Sequence, residues 1–171
     1  MPLTTPKLKR TVPFLFALPL AALFAPDLNS AQAQAASAFS GLAGAWSGEG
    51  TIALTKGSTE HLRCNANYAE RGGGESVDLK LLCASASYHF DLRISLVATA
   101  GAVLGSWNEP SQKIEGGIAG TVSRGLINVT AKGQAFNAAV TVATRGAEQS
   151  VKIHADSGDL AQVAITLRRA R

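Results

Sequence analysis

The sequence lacks the residue clusters and motifs that most catalytic sites require. It has three histidines, His61, His89 and His154, which lie far apart in the chain and on the polar side of predicted strands. Neither a G-x-S-x-G elbow nor a P-loop occurs, because the glycines at 72–74 precede a predicted strand and not a helix. We therefore expect no catalytic residue, no metal, no cofactor and no enzymatic activity.

Aromatic and charged residues are also scarce, at 6% and 16% of the chain. The basic residues are scattered singly among the acidic ones, apart from a cluster at 168–171. Nucleic-acid binding needs a basic patch or stripe, so the net charge of +4 does not indicate a nucleic-acid partner. The sequence shows neither aromatic girdles nor a terminal aromatic residue, and this argues against an outer-membrane barrel.

The N-terminus has the three parts of a secretory signal peptide. Basic residues at 7–10 precede an apolar run at 11–25, and a stretch of small residues follows at 30–36. The apolar run is shorter than the roughly 20 residues of a membrane span, and it contains two prolines. Cleavage is expected after Ala33 or Ala35.

This reading divides the chain into a signal peptide (1–33), a flexible leader (34–40) and one β-barrel domain (41–171). The mature protein is predicted to be periplasmic or secreted and to have no membrane span. The chain as a whole resembles small secreted alphaproteobacterial proteins, a resemblance that implies location and nothing about chemistry.

The segment Leu62–Ser85 has the pattern of a β-hairpin with a glycine-rich turn. Apolar residues alternate with polar ones on both sides of the turn: Leu62, Cys64, Ala66 and Tyr68 precede it, and Val77, Leu79, Leu81 and Cys83 follow it. A turn centred between Gly73 and Gly74 places Cys64 opposite Cys83. Exported proteins fold in an oxidising compartment, so we expect a disulfide between the only two cysteines; a pair of buried free thiols is the alternative.

The rest of the chain repeats this alternation in about ten short runs, 8 to 12 residues apart, with no long helical pattern. The predicted fold is all-β: an antiparallel meander closed or nearly closed into a barrel of about 8 to 10 strands, with a sandwich as the alternative. Closure is favoured because a meander of this length would otherwise leave two exposed edge strands. The first and last strands would then be neighbours.

The opening Gly44-Ala45-Trp46 resembles the Gly-x-Trp motif of calycins, the lipocalin and avidin-like barrels. This resemblance implies that Trp46 helps to close the base of the barrel beneath a C-terminal arginine. Arg169 has the parity of the inward residues of the last strand and could supply that cation. A solvated basic tail at Arg168 and Arg169 is the alternative. The chain departs from lipocalins in having ten runs where eight are expected and in lacking a helix after the barrel.

The predicted inner face is rich in small residues, which leaves two alternatives for the interior. Either it holds a small ligand, or the barrel flattens and aromatic side chains fill it. The filled interior is preferred, because a wide pocket would leave the domain short of core. The small residues are Gly48, Gly50, Ala66, Gly105, Gly116, Gly120 and Ala138, and the filling aromatics are Tyr68, Phe90, Trp107 and Phe136.

Two functions follow from these patterns. The first is an exported, non-catalytic binding module that holds a small apolar ligand in the barrel, with ligand contacts at Trp46, Tyr68, Tyr88, Phe90 and Trp107. The second is a periplasmic interaction or inhibitor domain that binds an envelope protein through loops on a rigid barrel. The candidate loops are 71–75, 108–113 and 156–162.

Overall fold

The computed structural model describes residues 37–134 and 137–171. The predicted signal peptide, the first part of the leader and Phe136 lie outside the described residues. The described chain forms ten strands and one short 3-10 turn, Gly72–Gly74. The strands are β1 (Gly44–Leu54), β2 (Thr59–Arg71), β3 (Ser76–Ala84), β4 (His89–Thr99), β5 (Ala102–Glu109), β6 (Ile114–Ser123), β7 (Leu126–Gly133), β8 (Asn137–Arg145), β9 (Glu148–Ala155) and β10 (Leu160–Arg169).

The ten strands close into one antiparallel barrel. Each strand pairs with the next one along the chain, and β1 pairs with β10 to complete the ring. The predicted all-β meander and its closure are therefore confirmed, and the sandwich alternative is wrong. No helix in the described residues is long and apolar enough to cross a membrane.

The cysteine hairpin has the predicted register. Cys64 pairs with Cys83 across β2 and β3, and Tyr68 pairs with Leu79. The two cysteines form a disulfide with their Cα atoms 4.1 Å apart, which confirms the predicted bridge. The turn consists of three glycines with positive φ values of 59°, 67° and 91°. Glycine is the residue that adopts this conformation most easily, so the sequence defines where the hairpin reverses.

Inward glycines allow neighbouring strands to approach closely. A Cβ atom would collide with a backbone carbonyl of the adjacent strand at each of five inward positions: Gly48, Gly50, Gly105, Gly116 and Gly120. None of these glycines lines the interior cavity described below. At these positions the missing side chain makes room for the backbone of the neighbouring strand, so these glycines do not themselves border the space that a ligand could occupy.

The N-terminal segment closes the end of the barrel at which β1 begins and β10 ends, here called the base. Phe39 is fully buried, and its backbone N–H donates to the carbonyl of Gly74 in the β2–β3 turn. The Ser37 hydroxyl donates to the carbonyl of Gly73. Residues 37–40 thus form a packed turn, which differs from the expected flexible leader. The apolar Phe39 side chain explains the difference, because its burial favours docking on the barrel.

Candidate functional site

The barrel contains an interior cavity of about 380 Å³. Nine of the ten strands line it, mostly with leucine, isoleucine and valine side chains, and β1 contributes none. Its size lies within the range of small-molecule sites, which runs from about 300 to 1,000 Å³. The filled interior preferred from the sequence is therefore wrong. Aromatic residues are too few to fill a ring of ten strands, and those in the described part of the chain lie along its wall or at its ends.

The base of the cavity is closed by Leu42 and by a layer of side chains beneath it. Leu42 lines the cavity, and its carbonyl accepts a 2.8 Å hydrogen bond from Trp46 Nε1. Trp46 is 1% exposed but does not line the cavity. The Arg169 guanidinium lies 4.7 Å from the centre of the Trp46 ring. The contact expected from the calycin resemblance is present, and Trp46 lies outside the cavity lining.

A buried polar chain lies next to this closed end. The Tyr68 hydroxyl donates to Gln149 Oε1 at 2.6 Å, and Gln149 Nε2 donates to Thr144 Oγ1 at 3.0 Å. Gln149 is fully buried. Burial raises the pKa of Tyr68 to about 12, although the hydrogen bond to Gln149 opposes the shift. Gln149 is not among the predicted site residues; its inward parity on a strand with Val151 and Ile153 is the sequence signal that indicates its burial.

Trp107 lies flat along the wall of the cavity. Towards β6 and β7 its register neighbours are glycines, since Trp107 pairs with Gly116 and Gly116 pairs with Gly133, whereas its partner on β4 is Ile94. Cβ atoms at Gly116 and Gly133 would lie 2.7 Å and 2.9 Å from atoms of the indole ring. The two glycines therefore provide the space that the ring occupies, and the centre of the barrel stays open.

Two further aromatic residues line the cavity near the opposite end, here called the mouth. Tyr88 and Phe90 are stacked, with ring centres 6.1 Å apart and an interplanar angle of 11°. Tyr88 lies in the loop before β4, which Glu60 holds in place. The Glu60 carboxylate accepts hydrogen bonds from Ser85 Oγ and from the Ser87 amide, and the bond from Ser85 contributes most to lowering the pKa of Glu60.

Glu109 is the buried acidic residue at the mouth. It is 1% exposed and lines the cavity. Its carboxylate accepts hydrogen bonds from Ser111 Oγ and from the amides of Asp91 and Gln112, at 2.6 to 3.0 Å. Burial acts to raise the pKa of Glu109, but these hydrogen bonds outweigh it and the pKa lies below its usual value. The carboxylate is therefore ionised at neutral pH.

The other predicted positions do not come together in one site. The loops 108–113 and 156–162 both lie at the mouth, whereas 71–75 lies at the base. The three histidines are exposed on the outer face. Across the described ranges 37–134 and 137–171, no group of three or more His, Cys, Asp or Glu residues is placed to hold a metal ion.

Comparison with known proteins gives matches to solved structures only. No protein-family model and no curated sequence matches the chain. The crystal structure of Rv2717c from M. tuberculosis is similar to this barrel with a TM-score of 0.61 and 17% identity, over 76% of this chain and 93% of that one. The S-type phycobiliprotein lyase CPES from Guillardia theta is similar with a TM-score of 0.52 and 10% identity, over 75% and 88% of the respective chains. At such identities the similarity concerns the fold alone.

Proposed function

We propose that this chain is an exported binding module that holds a small apolar ligand inside its barrel and does not catalyse a reaction. The observation that carries the proposal is the apolar cavity of about 380 Å³, closed at the base by the chain's own N-terminal segment. Apolar surface exposed in such a cavity is available to a ligand, and its burial against an apolar molecule is favourable.

Four of the five aromatic residues predicted to contact a ligand support this role, because Tyr68, Tyr88, Phe90 and Trp107 all line the cavity. Aromatic rings present a large contact area at a low cost in side-chain entropy. In this proposal, Tyr88 and Phe90 contact the ligand near the mouth and Trp107 contacts it along the wall. The role of Trp46 is to hold the base closed.

Export is supported by the N-terminal signal-peptide pattern and by the disulfide, because such bonds persist in oxidising compartments. The lyase among the similar structures does not carry an activity to this chain, since one fold hosts many unrelated functions. The alternative role as an interaction domain for an envelope protein has less support, because its three candidate loops are divided between the two ends of the barrel.

The proposal can be tested with a cavity-filling variant and a matched surface variant. Val140 lines the cavity, and its neighbour Ala139 is exposed on the outer face. We expect Val140→Phe to weaken binding of a fluorescent apolar probe about tenfold, because the ring occupies the ligand's space, while Ala139→Phe leaves binding unchanged. Native mass spectrometry of the protein purified from its own periplasm should show an added mass. A bare mass together with no probe binding would overturn the proposal.

A further inference from the structure

The charged side chains that border the cavity are of one sign. Among the described residues that line it, only Glu109 and Asp159 are charged, and both are acidic. Both lie at the mouth. Lys56 and Lys113 lie in turns at the same end of the barrel, but neither lines the cavity. The polar end of the cavity is therefore anionic.

Glu109 has hydrogen bonds but no counter-ion. Its donors are one hydroxyl and two backbone amides, all of them neutral, and the described residues include no ion pair with it. Neutral donors stabilise a carboxylate without cancelling its charge. Because the wall that adjoins the carboxylate is apolar, the field of this charge extends into the cavity.

The remainder of the lining determines which ligands this field would accept. No lysine or arginine lines the cavity in the described part of the chain, so the carboxylate of an anionic amphiphile would meet repulsion at the mouth and find no cation deeper inside. Deep in the cavity, the Tyr68 hydroxyl already donates its proton to Gln149. A positively charged group at the mouth would instead supply the counter-charge that Glu109 lacks.

Building on the proposed function, we propose that the ligand is a cationic amphiphile: an apolar body that lies inside the barrel and an ammonium group that lies at the mouth, in the field of Glu109 and Asp159, which belong to opposite sides of the ring. The barrel therefore distinguishes amphiphiles by the charge of their polar end. Fatty acids and other anionic amphiphiles bind less tightly than a cationic amphiphile whose apolar chain has the same length.

Calorimetric titration of the disulfide-bonded mature chain with three probes tests this assignment. The probes are decyltrimethylammonium, decanol and decanoate, which share a chain length and differ in the charge of the polar end, each used below its aggregation threshold. We expect the ammonium probe to bind most tightly and the carboxylate probe least tightly, with about a tenfold difference in Kd between these two at low ionic strength. Added salt should reduce the difference, because the mouth is partly open to solvent.

Variants that remove a charge at the mouth test whether Glu109 and Asp159 cause the preference for the ammonium probe. Asp159→Asn and Glu109→Gln should each reduce the ratio of ammonium to carboxylate affinity. Glu115→Gln is the matched control, because Glu115 lies on the outer face next to the mouth and does not line the cavity. Glu109 also caps the β5–β6 turn, so Asp159→Asn, in an exposed turn, provides the test if Glu109→Gln does not fold.

The outcomes separate this inference from the function on which it depends. Equal binding of all three probes, or a preference unchanged by every charge-removing variant that folds, would overturn the cationic assignment and leave the cavity as an apolar site. Failure of all three probes and of a fluorescent apolar dye to bind would overturn the proposed function itself.

Discussion

Trp46 and Arg169 are register partners across the seam of the barrel, and the guanidinium lies over the indole ring at 4.7 Å. Arg169 also donates to the carbonyls of Ala43 and Gly41, so one side chain joins the last strand, the first strand and the segment that precedes it. This side chain therefore holds together both ends of the domain.

Replacing Arg169 should destabilise the protein much more than replacing its neighbour. Arg169→Met removes a cation–π contact and two charge-assisted hydrogen bonds, and we expect the free energy of unfolding to fall by about 2 kcal/mol. Arg168→Met removes only an exposed pair with Glu148, at 3.6 Å, and should change it by less than about 0.5 kcal/mol. Urea unfolding of the mature variants measures both values. Equal losses would contradict a special role for Arg169.

Adjacent glycines on β6 should respond in opposite ways to alanine. A Cβ at Gly116 would collide with the Lys132 carbonyl and lie 2.7 Å from Trp107 Nε1, whereas a Cβ at Gly117 meets nothing within 4 Å. We expect Gly116→Ala to cost about 1 to 3 kcal/mol and to change tryptophan fluorescence. Gly117→Ala should be neutral or slightly stabilising, because it only restricts the unfolded chain. A neutral Gly116→Ala variant would show that the indole ring does not need this space.

Removing the Tyr68 hydroxyl should leave a buried polar group without its partner. In Tyr68→Phe, Gln149 Oε1 loses its donor at a fully buried position, and we expect a loss of about 1 to 3 kcal/mol in unfolding free energy. Tyr88→Phe is the control, since no hydrogen bond of the Tyr88 hydroxyl contributes to this chain of buried groups. Losses of similar size in both variants would contradict the importance of the buried pair.

The raised pKa of Tyr68 also predicts a loss of stability at alkaline pH. The pKa is 10.0 for an unperturbed tyrosine and about 12 for Tyr68 in the folded protein, so the folded state holds this proton more tightly than the unfolded state. The associated stability is fully present below pH 10 and is lost as the pH rises towards 12. Absorbance titration at alkaline pH should show a tyrosine transition near pH 12 that is absent in Tyr68→Phe. A single transition near pH 10 would contradict the burial of the hydroxyl.

Removal of the disulfide should weaken the barrel without changing its topology. The bond joins residues separated by 19 positions, and in the chain-entropy model closing such a loop contributes roughly 3 kcal/mol. We expect the double variant Cys64→Ala/Cys83→Ala to lose about this much, as measured by urea unfolding, and to keep its far-ultraviolet circular dichroism. Reduction of the wild-type protein should produce a similar loss. An unchanged unfolding midpoint would contradict the prediction.

The strand pairing could be predicted from sequence because the signal is local. Alternation identifies which residues of a strand face inward, and the glycine turn at 72–74 then fixes the register of β2 against β3, including the opposition of Cys64 and Cys83. Predicting the contact between β1 and β10 required one further step. Once the meander was taken as closed, parity placed Arg169 on the inner side of the last strand with Trp46 on the first.

The interior could not be predicted in the same way, because parity gives the direction of a side chain but not what it meets across the barrel. Tyr68 and Gln149 are 81 residues apart, and no local pattern connects them. In the sequence, Glu109 belongs to the polar segment 108–113 that predicts a loop. Its burial depends on hydrogen-bond donors that the following loop and a neighbouring strand provide. The inward glycines are likewise ambiguous in sequence, since close strand approach and open volume both favour them.

In this topology, one strand pairing has a larger entropic cost than the others. Nine of the ten strand pairings in the described chain join consecutive strands, so each requires only a short loop to form, and the pairing of β1 with β10 alone joins the two ends of the meander. Loop-closure entropy grows with the length of chain enclosed, so that final pairing has the largest entropic cost. Until it forms, β1 and β10 are open edges with unpaired backbone groups, and the nascent protein is most exposed to self-association there.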